Sequence, residues 1–452
     1  MKILAGGGAP SQIPFASVRL SGWNVAARTA RHGLPAWCET TIRTPSGHPI
    51  HTPRLHKDHP RGPLVANLLA QLAFGLLAMT ICIPSMQEWG ALFGASQASV
   101  QLTFSGYVVA FGGLQLLYGP LSDRLGRKKI LLAGLSLAGL ASALAASATD
   151  LGTLTLARVL QGAGSGAGMV VGRAMVQDLF QGPERTRVMA YIGMAMGLCP
   201  PLATIVGGQV HVRWGWQANF VLIAVMAALL LLTAWRGLPD HQKPPSVASH
   251  WFAAMLASYA RLAREPAFLS YVGILAMTTA TFYAFLAGAP IVLGSYGVGP
   301  EGVGYYIMCI PLSYIAGNYL TTRLVHRAGE RLMMALGQLF SVSGLVLMLT
   351  LGLAGLNEPL ALALPLILLG IGHGFLMPPA LAGTVSLIPA LAGSAAAVAG
   401  VMQQLMGAVG GYAVGLFSHD GAVNLGWLML GFTLCAVAAQ GLLQRRGMQP
   451  GH

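Results

Sequence analysis

The chain has 452 residues, of which 55% are hydrophobic and only 9% are charged. Because soluble domains carry about 25% charged residues, this composition excludes an ordinary soluble protein and indicates a protein of the lipid bilayer. The net charge of +13 would suit a nucleic-acid partner, but the basic residues lie between long apolar segments. We therefore expect no nucleic-acid binding and interpret the charge as a signal of membrane orientation.

Residues 1–63 differ from the rest of the chain, because they are rich in Gly, Pro, Ser, Arg and His. Such a segment buries too little apolar surface to offset the entropy of ordering, and this predicts a disordered cytoplasmic tail. An alternative is that the native protein begins near Leu64 or Val65, so whether residues 1–63 belong to it stays open. The tail histidines fit no helical face, and the five cysteines have the spacing of neither a disulfide framework nor a metal site. We expect no metal and no cofactor.

From residue 64 onward the sequence holds twelve apolar segments, each with about the 20 residues that cross a bilayer. They are expected at about 64–86, 99–119, 130–148, 153–178, 187–210 and 218–236, then at about 267–292, 302–324, 331–352, 360–384, 394–417 and 424–444. Lys and Arg concentrate in the even-numbered connections and near both chain ends, whereas the odd-numbered connections hold only Arg213. Since loops rich in Lys and Arg stay on the cytoplasmic side of a membrane, we expect a multi-pass protein of the bacterial inner membrane with both termini cytoplasmic.

The longest connection between spans, 237–266, separates an N-terminal half of six helices (64–236) from a C-terminal half of six (267–444). Residues 445–452 form a second cytoplasmic tail. Within the connection, the segment 251–264 predicts an amphipathic helix on the membrane surface. The side chains on its apolar face are Phe252, Met255, Leu256, Tyr259 and Leu262. Two six-helix halves indicate an all-α membrane protein, a duplicated transporter with its site between the halves.

The connection between the second and third spans reads GPLSDRLGRKK, starting at Gly119. Gly119 and Pro120 end one helix, and Gly126 permits a tight turn. An acid among four bases contributes to structure only if it makes a specific hydrogen bond or ion pair. A plain basic loop that obeys the orientation rule is the alternative. The corresponding connection of the second half reads HRAGER, and it has His326 where the first half has Asp123.

This motif resembles the signature of the major facilitator superfamily. The matching positions are Gly119, Asp123, Arg124, Gly126, Arg127 and Lys128. The fourth span adds an R-x-x-Q-G-x-G pattern from Arg158 through Gln161, and the fifth span adds Pro200 and Pro201. With the AGAP before the eighth span, these residues resemble exporters of the bicyclomycin and chloramphenicol resistance (Bcr/CflA) type over residues 75–420. The resemblance implies the major facilitator fold, with 12 transmembrane helices.

In the resembling family the loop motif controls conformation. The acids equivalent to Asp123 and Asp178 flank the base equivalent to Arg127, and Asp123 would face the start of the eleventh span at Gly393 and Ser394, where the helix dipole favours an anion. This contact would exist only in the outward-facing state. The resemblance therefore implies a gating set that consists of Gly119, Asp123, Arg124, Gly126, Arg127 and Asp178.

The coupling ion is the point at which this sequence departs from its relatives. Exporters of this type carry an acid in the first span just before a Leu-Pro pair, but here Thr80 occupies that position before Ile83-Pro84. No Asp or Glu lies in the middle of a span, so His373 is the mid-span group that titrates near neutral pH. Either His373 carries a proton, or it is a neutral hydrogen-bonding residue and coupling does not pass through a cavity side chain.

Charged and kinked positions complete the candidate pathway. Arg158 lies about 9 Å inside the fourth span, where a charge normally faces a partner or a wet cavity, whereas Arg173 is expected to pair structurally. Pro200 and Pro201 should kink the fifth span. The substrate or coupling pathway is predicted to include Thr80, Tyr107, Gln115, Arg158, Gln161, Pro200, Pro201, Tyr283, His373 and Gln403. Beside them we expect Tyr191, Met194, Tyr306, Met377 and Met402.

An aromatic, Met-rich and sparsely polar lining suits small amphipathic or aromatic compounds. The sequence predicts a monomeric secondary transporter that exports such compounds by alternating access, with protons and the lipid bilayer as further partners. A transporter of one specific metabolite, importing or exporting, is the alternative. A membrane-embedded lipid-modifying enzyme is disfavoured, because no Asp-rich motif, H-E-x-x-H motif or nucleophile–base pair appears. We expect no enzymatic activity.

Overall fold

The computed structural model describes residues 25–26, 41–42, 61–239, 251–418 and 421–445. The chain divides into a unit Met1–Arg61 and a unit Gly62–His452. In the first unit, strands β1 (Val25–Ala26) and β2 (Thr41–Ile42) pair antiparallel. The prediction of a disordered tail at 1–63 falls almost entirely outside the described residues.

In the described part of the second unit, every regular element is a helix. The helices of its first half are α1 (Arg61–Thr80), α2 (Met86–Phe93), α3 (Gln97–Leu125), α4 (Arg127–Ala146), α5 (Leu151–Leu179), α6 (Gly182–Trp214) and α7 (Trp216–Gly237). Helix α8 (Trp251–Ala263) occupies the segment for which an amphipathic helix was predicted, with Leu262 fully buried and Leu256 exposed. The helices of the second half are α9 (Pro266–Ser295), α10 (Pro300–Ile307), α11 (Cys309–Leu353), α12 (Pro359–Ala363), α13 (Pro365–Ser386), α14 (Ala392–Val414) and α15 (Ala422–Arg445). A short 3-10 turn, Pro389–Leu391, precedes α14.

Twelve membrane crossings follow from these helices. Within the described residues, 10 helical segments are long and apolar enough to cross a membrane. One of them, Pro300–Leu353, has 54 residues, which at about 1.5 Å per residue is far longer than one crossing. It breaks at Gly329, where φ is 77°, and so counts as two. Helix α5 has 29 residues but carries Arg158, Arg173 and Asp178, and it supplies the twelfth crossing. The predicted all-α architecture of 12 transmembrane helices is confirmed.

Local sequence signals set the helix ends. The Ser96 hydroxyl caps α3 by accepting a bond from the Ser99 amide (3.2 Å), and the Asp150 carboxylate caps α5 by accepting one from the Thr153 amide (2.9 Å). Gly126, with φ of 102°, lets α3 turn directly into α4. Each cap satisfies amides that the first turn of a helix leaves without a partner.

Two ends of the bundle are distinguished by their connections. We call the end with the α3–α4 and α5–α6 connections and the break at Gly329 the basic end. The end with the α4–α5, α6–α7 and α9–α10 connections is the far end. The two halves meet near the far end, where Gln101 donates to the Ala287 carbonyl (3.1 Å) and Ser105 donates to the Ala408 carbonyl (2.9 Å). This junction holds the parts of α3, α9 and α14 that lie near the far end together.

Toward the basic end, several glycines of α3 and α14 have free space beside them. A Cβ atom added at Gly113 on α3, or at Gly393 or Gly400 on α14, would meet no atom within 4 Å. At the far end, by contrast, a Cβ atom at Gly304 would lie 2.6 Å from the backbone nitrogen of Ile205 in the other half. Among the described residues, contacts between the halves are therefore tight at the far end, whereas these glycines of the basic end have no neighbour beside them.

Candidate functional site

A cluster of charges lies at the basic end of the first half. The Arg127 guanidinium contacts the carboxylates of Asp123 (2.5 Å) and Asp178 (3.3 Å), and it donates to the Ser122 hydroxyl (2.8 Å). Arg127 and Asp178 are largely buried, with 12% and 13% of their side chains exposed, whereas Asp123 is 55% exposed. Arg127 thus ties the ends of α3 and α5 together, and Asp123 keeps one side toward the open space.

The start of α14 is not in contact with this cluster. Since an added Cβ atom at Gly393 would meet nothing within 4 Å, the predicted neighbour of Asp123 is absent from its surroundings in this conformation. The expected pairing of Asp123 with Gly393 and Ser394 belongs to a state in which the basic end is closed. That pairing stays a prediction.

Arg158 is a fully buried charge in the middle of the first half. Its guanidinium donates to the backbone carbonyls of Ala78 (2.8 Å) and Met79 (3.2 Å) and to the Gln161 side-chain oxygen. Its Cζ atom also lies 4.3 Å from the centre of the Tyr107 ring. Carbonyl dipoles and an aromatic face stabilise this cation inside the bundle.

The end of α1 explains why these carbonyls are available. The Ile81 amide still donates to the Leu77 carbonyl, but the Ile83 amide donates to Thr80 instead of Met79, and Pro84 has no amide, so the regular bond pattern stops after Ile81. The last carbonyls of a helix need outside donors, and Arg158 supplies them to Ala78 and Met79. Thr80 itself is fully buried, and its hydroxyl donates to the Leu76 carbonyl (2.9 Å). The position of the missing acid therefore lies inside the protein, beside the carbonyls that Arg158 binds.

A cavity of about 230 Å³ lies between the halves. Three residues of its wall belong to the first half, all on α6, and the other eleven belong to α9, α11, α13 and α14 of the second half. The lining residues are Met196, Gly197, Pro200, Thr278, Thr279, Phe282, Tyr283, Ile310, Pro311, Tyr314, His373, Met377, Gln403 and Gln404. The second half therefore supplies most of the surface that a small molecule would touch.

The polar groups of the cavity are uncharged side chains and one imidazole. The hydroxyls of Thr278 and Thr279 donate to carbonyls of their own helix, at 2.7 and 2.8 Å, which leaves their oxygen lone pairs as acceptors. The Tyr283 hydroxyl donates to Gln404 Oε1 (3.1 Å), which leaves the Gln404 amide nitrogen as a donor. Of the lining residues, none is an Asp, Glu, Lys or Arg. This wall can hydrogen-bond a neutral molecule but offers a cation no carboxylate.

The wall from the first half contributes backbone. Gly197 has no side chain, so it lines the cavity through its main chain. Pro200 and Pro201 lie inside α6 and lack the amides that would bond the carbonyls of Met196 and Gly197 in a regular helix. On α13, Pro378 likewise lies inside the helix, but the Gly374 carbonyl that its missing amide would have bonded accepts a bond from the Thr321 hydroxyl (2.9 Å). The prolines of α6 thus leave acceptors at the cavity wall.

The structure gathers part of the predicted pathway at the cavity. Of the predicted residues, Pro200, Tyr283, His373, Met377 and Gln403 line it. Five others are buried outside its lining, namely Thr80, Tyr107, Arg158, Gln161 and Pro201. Gln115 and Tyr306 are half-buried, and Tyr191, Met194 and Met402 are exposed, and none of these lines the cavity either. Arg173 is exposed, and its guanidinium contacts the Met196 sulfur (3.5 Å), so the structural partner expected for it is a thioether.

Several lining residues had no distinguishing signal in the sequence. Thr278, Thr279, Phe282, Tyr314 and Gln404 lie on helices that are apolar on all sides, where periodicity does not separate cavity from lipid. The one available signal was the position of Gln404 beside Gln403, since two adjacent amides are costly within a bilayer.

Comparison with known proteins agrees with this architecture. A sequence profile described as "Major Facilitator Superfamily" matches residues 64–411. The chain is 27% identical to the bicyclomycin resistance protein homolog of Haemophilus influenzae over 395 residues, covering 84% of this chain and 96% of that protein. It is 27% identical to a chloramphenicol resistance protein of Pseudomonas aeruginosa over 372 residues, covering 80% of this chain and 87% of that protein.

Solved structures share the fold. A bacterial homolog of the human lysosomal transporter Spinster, in an inward-facing and unoccupied conformation, superposes with a TM-score of 0.69 at 14% identity. The match covers 85% of this chain and 96% of that chain. At this identity the likeness concerns the arrangement of helices alone.

Proposed function

Because the chain belongs to the Major Facilitator Superfamily, we propose that it is a secondary exporter of small, uncharged aromatic compounds that works by alternating access. The observation that carries the proposal is the composition of the cavity. Phe282, Tyr283 and Tyr314 offer aromatic surface, and Met196 and Met377 offer adaptable apolar surface. Amides and hydroxyls supply a few oriented hydrogen bonds, as in typical small-molecule sites.

The absence of acids among the lining residues argues for uncharged substrates. A cation that leaves water for this cavity would lose its hydration and find no carboxylate among the residues that line it. The names of the relatives from H. influenzae and P. aeruginosa refer to resistance to bicyclomycin and chloramphenicol. This is the reason to propose export of an antimicrobial compound as the biological role.

We propose a bacterial inner-membrane location with both termini in the cytoplasm, since the basic residues gather at one end of the bundle. The basic end then faces the cytoplasm and the far end faces the periplasm, and the conformation described above is open to the cytoplasm. Proton antiport through His373 is part of the proposal, because His373 is the imidazole among the lining residues. A monomer in the lipid bilayer suffices for this cycle, and no enzymatic activity is proposed.

Transport into inside-out membrane vesicles tests the proposal. Chloramphenicol serves as the neutral aromatic probe and tetraphenylphosphonium as the cationic one, each with and without an imposed proton gradient. We expect accumulation of chloramphenicol that depends on the gradient and little accumulation of the cation. Accumulation of the cation alone would contradict the cavity argument. Gradient-driven loss of a preloaded compound from the vesicles would instead indicate an importer.

A further inference from the structure

A second buried imidazole, His211, lies near the far end of the first half, away from the cavity. Its side chain is 7% exposed. Its Nε2 atom lies 3.1 Å from the carboxylate of Glu88 on α2, and its Nδ1 atom lies 2.9 Å from the Ser85 hydroxyl. The Asn219 amide on α7 donates both to that hydroxyl (3.2 Å) and to the Gly207 carbonyl (3.1 Å). The chain of contacts links α2, α6, α7 and the turn that follows α1.

Both protonation states of His211 fit these contacts. A neutral ring donates from Nε2 to Glu88 and accepts at Nδ1 from the Ser85 hydroxyl. A protonated ring donates from both nitrogens, so its bond to Glu88 becomes charge-assisted and therefore stronger. His211 also lies in the last turn of α6, where the helix dipole favours a positive charge. Adding a proton therefore strengthens the bond to Glu88 and reverses the direction of the bond to Ser85, whose oxygen then accepts.

This cluster is attached to the closed junction between the halves on two sides. Gln87, next to Glu88, donates to the carbonyls of Pro290 (2.5 Å) and Val298 (3.4 Å) in the second half. On α6, a Cβ atom added at Gly208 would lie 3.1 Å from the Cα atom of Glu301 on α10. Gly208 is one turn before His211. Closing the far end therefore brings the second half against both of the elements that the Glu88–His211 contact joins.

The charges around His211 differ between the two states of the far end. On the elements packed against this part of α6, the charged side chains are Glu88 on α2 and Glu301 on α10, and α6 itself carries Arg213. Glu88 accompanies His211 in either state, because both belong to the first half. Glu301 belongs to the second half, so opening the far end would carry its charge away from α6, whereas Glu88 would stay. An imidazolium is therefore favoured more by the closed far end than by an open one, which is the condition for a proton to shift the equilibrium.

We propose that His211 and Glu88 form a proton-binding site at the far end, and that protonation of His211 favours closure of that end. In the orientation given under Proposed function, the proton comes from the periplasm. An acidic periplasm would then hold the transporter open to the cytoplasm, ready to accept substrate. This site is separate from His373, and its effect on closure depends neither on the substrate nor on the direction of transport.

The test is the opening of the far end as a function of pH in purified, substrate-free protein in nanodiscs. The native cysteines are first replaced by alanine, and spin labels are attached at Leu92→Cys (α2) and Leu416→Cys, two exposed positions in different halves. Pulsed electron paramagnetic resonance then measures the distance between the two labels. We expect the open fraction to rise about threefold or more from about pH 5 to about pH 8. The variant His211→Gln should hold the open fraction constant within about 1.5-fold over the same range.

Two further variants keep the test decisive. Glu88 is more than half exposed, so Glu88→Gln should fold normally and should reduce the pH response even if His211→Gln is unstable. The control His326→Gln, at an exposed histidine of the basic end, should keep the wild-type response. A pH response that is unchanged in both His211→Gln and Glu88→Gln would overturn the proposal, as would a wild-type far end whose opening does not depend on pH. Because no substrate is present, these outcomes are independent of whether the protein exports aromatic compounds.

Discussion

Arg158 and His373 lie on the fourth crossing of their respective halves, and the two residues differ in their surroundings. Arg158 on α5 is 0% exposed and is surrounded by carbonyls, an amide and the Tyr107 ring. His373 on α13 is 5% exposed and lines the cavity. Both are basic groups within the bundle, but only His373 is next to the space that a substrate would occupy. A titratable or charged side chain in a span is therefore not by itself evidence of a transport site.

The two halves also differ in their other charged and cavity-lining residues. The first half has a buried cation and the Arg127 cluster, and it contributes three residues of α6 to the cavity. The second half has His326 in place of Asp123, and it contributes most of the lining residues. The first half thus carries the charged contacts that hold helices together, whereas the second half supplies most of the binding surface.

Arg158→Ala should have the largest effect, and the effect should be on folding. It leaves the carbonyls of Ala78 and Met79 without donors inside the bundle, which costs about 2–5 kcal/mol. We expect a fall in Tm of about 5 °C or more, with loss of transport, measured by thermal unfolding in detergent. The matched control is Arg173→Ala, since Arg173 is also an arginine within α5 but is exposed. An equal fall in both variants would show that the contacts of Arg158 are not the cause.

His373→Gln should leave stability nearly unchanged and should reduce gradient-driven transport about tenfold. Glutamine keeps a similar size and hydrogen bonding but cannot titrate. Proton release on addition of chloramphenicol to purified protein measures the effect directly, and we expect release from the wild type and little from the variant. Equal release from both proteins would exclude His373 as the proton carrier. Absence of release from the wild type would exclude coupling through this residue as well.

Asp123→Asn should slow transport about fivefold and should change the affinity of the conformation open at the basic end less than about twofold. In this conformation Asp123 is more than half exposed, and it joins the cluster through its ion pair with Arg127. Loss of the Asp123 charge should therefore not unfold the protein. Rates in vesicles and binding to purified protein separate the two effects. His326→Asp, which restores the acid to the second half, should leave both nearly unchanged. Lost expression of Asp123→Asn would indicate a local folding role instead.

Asp150→Ala should have the smallest effect. Bonds from the Thr153 hydroxyl and amide hold the pKa of the Asp150 carboxyl below its ordinary value. The cap therefore contributes its full stability above the ordinary pKa of about 3.9, and the contribution is lost as the pH falls through the lower folded value. We expect a fall in Tm of about 2 °C or less at pH 7 that disappears in strong acid.

Glu358 provides the control for this cap. It lies at the N-cap of α12, in the corresponding connection of the second half, where its side chain makes no cap hydrogen bond. Glu358→Ala should therefore leave the Tm unchanged at both pH values. A difference between wild type and Asp150→Ala that is the same at pH 7 and in acid would show that the ionised carboxylate is not the capping group.

The sequence was sufficient to predict the helices, because a bilayer demands about 20 apolar residues per crossing and permits few alternatives. The sequence was also sufficient to predict α5 despite its charges, since the apolar segments on either side of it require one crossing between them. Orientation, the gating role of Asp123 and coupling through His373 stay predictions.

The cavity could be predicted only in part. His373 and Gln403 stood out, because polar groups are rare within spans. Thr278 and Thr279 did not, because α9 is buried on nearly all sides and its sequence has no polar face. Arg158 was recognised as an interior residue, but its partners are backbone carbonyls, which have no signature in the side-chain sequence. The nearest signal was Pro84, whose missing amide helps to end α1.

Photoaffinity labelling tests most directly the claim that the second half holds the substrate. Purified protein is irradiated with an aryl-azide derivative of chloramphenicol, with and without excess chloramphenicol, and the labelled peptides are identified by mass spectrometry. We expect competable adducts on α9, α11, α13 and α14, around Thr278, Tyr314, Met377 and Gln403. Competable adducts that are confined to the first half, around Tyr107 or Tyr191, would contradict it.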